Sequence, residues 1–263
     1  MTMGTPEIYK TLLVEQQADV LTVTLNRPRQ ANAMNLTMVN ELTQVMNRAV
    51  EQQVRVFIIR GADGNFCAGG DIKEMQAIAS DREELAQFNR SFGLMLEQAN
   101  TLPCVVITVL QGAVLGGGFG LACISDVAIS DTTSAFAMPE TSLGIIPAQI
   151  APFVVDRIGL TQARRLALLG QRIPAAQALT LGIIHHVSQT QDELDSKLTL
   201  AVSAAMNCAP QATATTKALM HKVGKLPMAS LLDEAAIHFA DSVQGEGREG
   251  ARAFAHKSKP NWR

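Results

Sequence analysis

The chain has no excess of either charge: 22 Lys and Arg stand against 24 Asp and Glu, a formal net charge of −2 over 263 residues. That balance leaves no electrostatic footprint for nucleic acid or an anionic membrane, so neither partner is expected. The two basic pairs, Arg164 with Arg165 and Arg248 with Arg252, read as solvated helix faces. Cysteine is scarce, and Cys67, Cys104, Cys123 and Cys208 lack metal-ligand or redox spacing. Free thiols in a reducing compartment follow, hence a cytoplasmic protein rather than a disulfide framework. The histidines supply no pair at helical ligand spacing; His185 and His186 are adjacent and point apart, so a structural role and no metal site are expected. The opening MTMGTPEIYK has neither an apolar signal core nor an Arg-rich transit pattern, which predicts no leader. No glycine run ends in Lys followed by Ser or Thr, and no strand-linked glycine trio has dinucleotide spacing. A Gly-x-Ser-x-Gly elbow is missing too, which removes the usual serine-hydrolase nucleophile.

One stretch imitates a membrane span. Over residues 105–124 only Thr108 and Gln111 are clearly polar, but five of those twenty positions are glycine, with Pro103 before and Asp126 after. A buried strand, a turn and a buried helix account for it better.

Around that stretch, strands and helices alternate. Residues 21–25 have the two-residue period of a half-buried strand. Asn35 is placed to cap a helix whose apolar positions are Leu36, Val39, Leu42, Met46 and Ala49. A buried strand over 54–60 ends in the turn residues 61–64, and a polar helix containing Glu83, Glu84, Gln87 and Arg90 leads to a strand at Val105. Short strands are expected over 127–130 and 134–138. This order predicts an α/β layered domain with crossovers. Beyond Asp156, Thr161 is placed to cap a helix ending at Gly170, and Pro174 to open one stopped by Gly182. From Asp192 the pattern is almost purely helical. The expected division is an α/β core over 1–200 and a helical region over 201–263.

Two glycine loops each follow a buried strand. FCAGGDI (66–72) holds Ala68, Gly69, Gly70 and Asp71; LGGGFG (115–120) holds Gly116, Gly117 and Gly118. Small residues leave backbone N–H groups open to approach, and a helix start adds the positive end of its dipole. Two such loops, each aiming one amide at a shared oxygen, would stabilise an oxyanion. Glu140, after the strand-like AFAMP, is a candidate proton handler.

These segments, with RPRQANAMN (27–35), LLGQRIPAAQALTLGII (168–184) and EGREGARAFAHKSKP (246–260), resemble the crotonase superfamily of enoyl-CoA hydratases and isomerases over nearly the whole chain. The resemblance implies a crotonase-like spiral of repeated β-β-α units and a C-terminal helical trimerisation region. It also implies a homotrimer or homohexamer, and an acyl-CoA substrate with no separate cofactor. By the same likeness, Ala68 and Gly117 donate the oxyanion N–H groups, residues 68–71 lie along CoA, and Glu140 is catalytic. Hydratases of the family usually carry a second glutamate just after the glycine run. Here that position is Gly120, and the usual glycine-rich segment after the Ile-Pro pair is replaced by Ala148, Gln149, Ile150, Ala151 and Pro152.

Loss of one carboxylate and of its charge suggests a vacancy suited to a substrate with its own carboxylate. The segments GGGFGLAC, SDVAIS and IIPAQIAPFVV resemble the isohexenylglutaconyl-CoA and 3-methylglutaconyl-CoA hydratase branch. The expected activity is therefore hydration of a conjugated enoyl-CoA by a single glutamate. Δ3,Δ2-enoyl-CoA isomerisation and non-catalytic acyl-CoA binding remain as alternatives. Weaker candidates are Gln149 as a polar partner for water, and Lys73, Phe254 and Lys257 as CoA contacts.

Overall fold

A computed structural model describes residues 8–262; most of the opening segment read for a leader lies outside them. β1 (Leu12–Gln17) and β2 (Val20–Leu25) form an antiparallel hairpin, followed by α1 (Leu36–Glu51) and β3 (Val56–Gly61). Two helices, α2 (Ile72–Ala77) and α3 (Arg82–Thr101), lead to β4 (Val105–Leu110), β5 (Ala113–Leu115) and α4 (Gly117–Ile124). β6 (Val127–Asp131) and β7 (Ala135–Ala137) precede α5 (Ala151–Leu169). Then come β8 (Ile173–Pro174), α6 (Ala175–Thr180), β9 (His186–Ser188) and four helices: α7 (Gln191–Met206), α8 (Pro210–Met220), α9 (Met228–Gln244) and α10 (Glu246–Ala255).

The long sheet runs β1-β2-β3-β4-β6-β9, parallel beyond the hairpin, and a short sheet runs β5-β7-β8. Each turn of the spiral places one strand in the long sheet and a second, short strand in the inner layer before its helix. Cys67 of the first glycine loop bridges Val114 of β5, whose register partner in β7 is Phe136. This is the β-β-α repeat implied by the family resemblance.

Side-chain pattern explains the layering. In β2, Leu21, Val23 and Leu25 are buried while Thr22 and Thr24 are only partly covered. In β4 every residue but Thr108 is apolar because both faces are covered, and the buried Thr108 hydroxyl pairs with that of Ser125 at 3.0 Å. Val106 and Leu110 face the main core; Ile107 and Val109 join Val56, Ile58 and Ile129 under α7. The 105–124 stretch thus becomes β4, β5 and α4, and among the described residues no helix is long and apolar enough to cross a membrane. Asn35 caps α1 by accepting from the Met38 N–H at 3.0 Å. Val39, Leu42, Met46 and Ala49 are buried, whereas Leu36 stays on the exposed edge.

Three boundaries differ from the sequence reading. α5 begins at Ala151, with Pro152 in its first turn, and is interrupted at Gly159, whose φ of 73° only glycine adopts without strain. Thr161 therefore follows a glycine break rather than capping a separate helix. Pro174 is the N-cap of α6 rather than its first residue, because it also pairs in β8. Finally, α7 runs through position 200, and its Leu194, Leu198, Ala201 and Val202 pack on the long sheet. That helix is part of the layered core.

Candidate active site

The inner layer brings three loops to one rim. Cys67 donates its N–H to Ala113 O (2.8 Å), Leu115 donates to Cys67 O (2.9 Å), and Gly116 donates to Ala137 O (3.0 Å). Three parallel rungs therefore end side by side, and beyond their ends lie Gly69–Gly70, Gly116–Gly117 and Pro139–Glu140. At their ends the rungs leave no room for a side chain at positions 116 and 118. A Cβ on Gly118 would lie 2.6 Å from Cys67 O, and one on Gly116, whose φ is 50°, would lie 2.9 Å from Glu140 Oε1. Tight packing and exposed backbone amides, alternative explanations of a glycine run, are both served here.

Which amides reach the cleft differs from the sequence reading. The Ala68 N–H donates to Ala31 O at 3.0 Å and is not free for a ligand. Gly70 instead lines the cleft, together with Gly117 and Glu140. Met34 explains why: it donates to Gly69 O and accepts from the Asp71 N–H, both at 2.8 Å. A strand-like bridge of this kind turns the N–H of the intervening Gly70 to the other side. Gly117, first residue of α4, has an N–H with no intrahelical acceptor, at the positive end of the dipole.

The Asp71 carboxylate is engaged within the protein. Its Oδ1 accepts from the Lys73 and Glu74 N–H groups, capping α2, and its Oδ2 pairs with Arg27 at 2.8 Å. Burial opposes ionisation there, but the Arg27 hydrogen bond and the helix amides prevail and hold the carboxyl below its ordinary value. Arg27 in turn donates to Ala33 O. The pair ties the RPRQANAMN segment to the glycine loop.

Glu140 opens a single turn of 3₁₀ helix after Pro139. Its Oε2 is shielded from solvent and has no hydrogen-bond partner among the described residues. Burial raises its pKa above the ordinary carboxylate value, only partly offset by a bond from its own backbone. A buried, unsatisfied carboxylate facing a cleft is costly to a fold unless it serves a ligand.

The expected vacancy at Gly120 does not exist. A Cβ there would lie 2.6 Å from Ile150 Cγ2 and 3.3 Å from Leu96 Cδ1. The altered 148–152 segment has filled the space. Gln149 does not face its own backbone; its Nε2 donates to Asn89 Oδ1 at 3.0 Å, across to α3, and both residues line the cleft. Sequence reasoning missed Asn89, Phe88 and Phe92, which have no motif and are signalled only by the helical period of α3.

Other groups are accounted for elsewhere. His185 accepts from the Ala128 N–H at 2.9 Å and lies 3.3 Å from Arg157, and burial with that cation lowers its pKa. Burial pushes the thiols of Cys67 and Cys104 to about 11 and of Cys123 to about 12, so none of the three is a ready thiolate. Among the described residues, no group of three or more His, Cys, Asp or Glu is arranged to hold a metal ion. Phe254 is exposed on α10.

Residues 15–263 match the family described as enoyl-CoA hydratase/isomerase. The chain is similar to the crystal structure of an enoyl-CoA hydratase/isomerase from Marinobacter aquaeolei, with 52% identity, a TM-score of 0.93, and coverage of 96% of this chain and 99% of that one. Similarity to Pseudomonas aeruginosa AtuE is of the same order: 50% identity, TM-score 0.94, coverage 96% and 99%. Among curated relatives, the mouse mitochondrial enoyl-CoA hydratase domain-containing protein 2 is 31% identical over 99% of this chain and 90% of its own length.

Proposed function

The chain belongs to the enoyl-CoA hydratase/isomerase family, and within it we propose that the protein hydrates the conjugated double bond of an acyl-CoA thioester with Glu140 as its one catalytic carboxylate. The observation that carries this reading is the shielded, unpartnered Glu140 oxygen on the same cleft as Gly70 and Gly117. Their two N–H groups would grip the thioester oxygen, which gains negative charge as the double bond is attacked. Glu140 takes a proton from water while the water oxygen bonds to the β-carbon. The π electrons move toward the thioester, and the same carboxyl then returns its proton to the α-carbon. CoA would run along the backbone of residues 68–71, with Asp71 and Arg27 holding that loop in place.

For the acyl group, we favour a branched chain bearing its own carboxylate, of the isohexenylglutaconyl-CoA kind. The similarity to AtuE and the sequence segments described above support that class. The cleft walls agree: Phe88, Phe92, Met95 and Leu96 give an apolar lining suited to a hydrocarbon arm.

A single carboxylate also fits Δ3,Δ2-isomerisation, in which one group shuttles a proton between two carbons. Turnover of a trans-2-enoyl-CoA in heavy-oxygen water separates the two. Label on the β-carbon hydroxyl is the expected result, and a shifted double bond without label would establish the isomerase.

A homotrimer, or a hexamer of two trimers, is proposed from the helical tail. On α9, Met228, Leu232, Ile237, Phe239 and Val243 are all exposed, and Met228, Leu232, Phe239 and Val243 recur at helical spacing, an apolar stripe of the kind that marks an interaction site. Light scattering is expected to give the mass of three or six chains, reduced by Ile237→Glu with Phe239→Glu. A monomeric wild type would overturn the assembly.

A further inference from the structure

We propose that the side-chain amides of Asn89 and Gln149 receive a carboxylate carried on the acyl chain, and so select dicarboxylic acyl-CoA thioesters over their monocarboxylic counterparts. The inference rests on the reading of the cleft as an acyl-CoA site and assigns the residues that would recognise the acyl group.

Among the described residues, three polar side chains line the cleft: Glu140, Asn89 and Gln149. With Glu140 committed to proton transfer and the Gly70 and Gly117 N–H groups to the thioester, the two amides are what is left to recognise a polar group on the acyl chain. Partly buried amides there are unfavourable unless their hydrogen-bonding capacity is used. Gln149 Nε2 donates to Asn89 Oδ1 at 3.0 Å, which orients both groups. After that bond, Asn89 keeps two N–H donors and one lone pair, and Gln149 keeps one N–H and an Oε1 that sits in the notch over Gly93. Three N–H donors are thus left for an anion, which only accepts.

Two further observations point the same way. The Gln149 head group lies against α3 only because residue 93 is glycine: a Cβ there would sit 1.9 Å from Gln149 Oε1. The same point is 2.7 Å from Arg90 Nη1, so a guanidinium borders that notch. Arg90 is exposed and shares its charge with Glu97 at 3.4 Å. It adds positive potential to the amide corner without filling the cleft. Gly93 thus seats the receptor, Asn89 sets its orientation, and Arg90 biases it toward negative charge.

The test is binding of saturated, unreactive esters by calorimetry. Succinyl-, glutaryl- and adipyl-CoA are compared with butyryl-, pentanoyl- and hexanoyl-CoA, so that chain length is matched. Wild type is expected to prefer at least one dicarboxylic ester over its partner by about tenfold or more, as charge-assisted hydrogen bonds allow. Gln149→Met and, separately, Asn89→Leu are expected to cut that ratio to near unity. A wild type that binds both classes equally overturns the proposal, and this measurement does not depend on either variant folding. So does a variant that weakens both classes alike, which indicates packing. A preserved ratio with reduced hydration of uncarboxylated crotonyl-CoA would make the amides a water post. If no ester of either class binds, the acyl-CoA reading falls as well, an outcome distinct from binding without discrimination.

Discussion

Glu140→Gln is expected to lower kcat for hydration by about 10²- to 10⁴-fold, the usual worth of a positioned general base. Binding of a saturated acyl-CoA should change little, because the thioester grip comes from backbone N–H groups. The same carboxyl sets the acid limb of the pH profile. It must be ionised to take a proton from water, and burial holds its pKa above the ordinary value. Activity should therefore fall at a higher pH than an unperturbed glutamate would give, with kcat/KM reporting the free enzyme. Stability should move in the opposite direction. A carboxyl whose native pKa is raised contributes stability below its unfolded pKa and loses that contribution as pH rises through the native value. At neutral pH the buried charge is a burden, and Glu140→Gln relieves it. The variant is expected to unfold at a higher temperature than wild type near neutrality, the difference shrinking as pH falls. Retained turnover, or a thermal difference that grows toward acid pH, would remove Glu140 from the role of base.

Gly120→Glu should fail to restore a two-glutamate site and should instead damage the fold. The new Cβ alone would meet Ile150 Cγ2 at 2.6 Å, Ile150 Cβ at 3.2 Å and Leu96 Cδ1 at 3.3 Å. Overpacking of this kind typically costs about 1–3 kcal/mol, and a carboxylate pressed into apolar side chains adds a desolvation cost. Denaturant unfolding is the measurement, with a lowered midpoint expected. Combining Gly120→Glu with Ile150→Ala should recover part of the loss, because it removes the first obstacle. An unchanged midpoint in the single variant would mean that the space is open after all.

These two residues also mark what the sequence shows by itself and what it does not. Glu140 was legible because a lone acid after a short strand, near two glycine loops, has a chemical meaning independent of packing. Gly120 was legible as a departure, but not as a filled site, since the atoms that fill it come from Ile150 and Leu96 on other elements. The glycine loops and the Asn35 cap were visible for the same local reasons. The choice of Gly70 over Ala68 was not. Successive amides in an extended loop point opposite ways, and Ala31 and Met34, far off in sequence, decide which one is spent. The path of α7 across position 200 was hidden likewise. Helical period shows that a face is apolar without naming the sheet that covers it.

The ladder joining Cys67, Val114 and Phe136 spaces successive coils at roughly the inter-strand distance of 4.8 Å. On the proposed function, the N–H donors from two coils and the proton carrier from the third would be delivered at a pitch that these backbone rungs maintain, with the Arg27–Asp71 pair tying down the first loop. None of those bonds runs through the side chain at position 120 or through the 148–152 stretch. Reaction type and acyl preference are therefore free to drift there while the grip on the thioester stays constant.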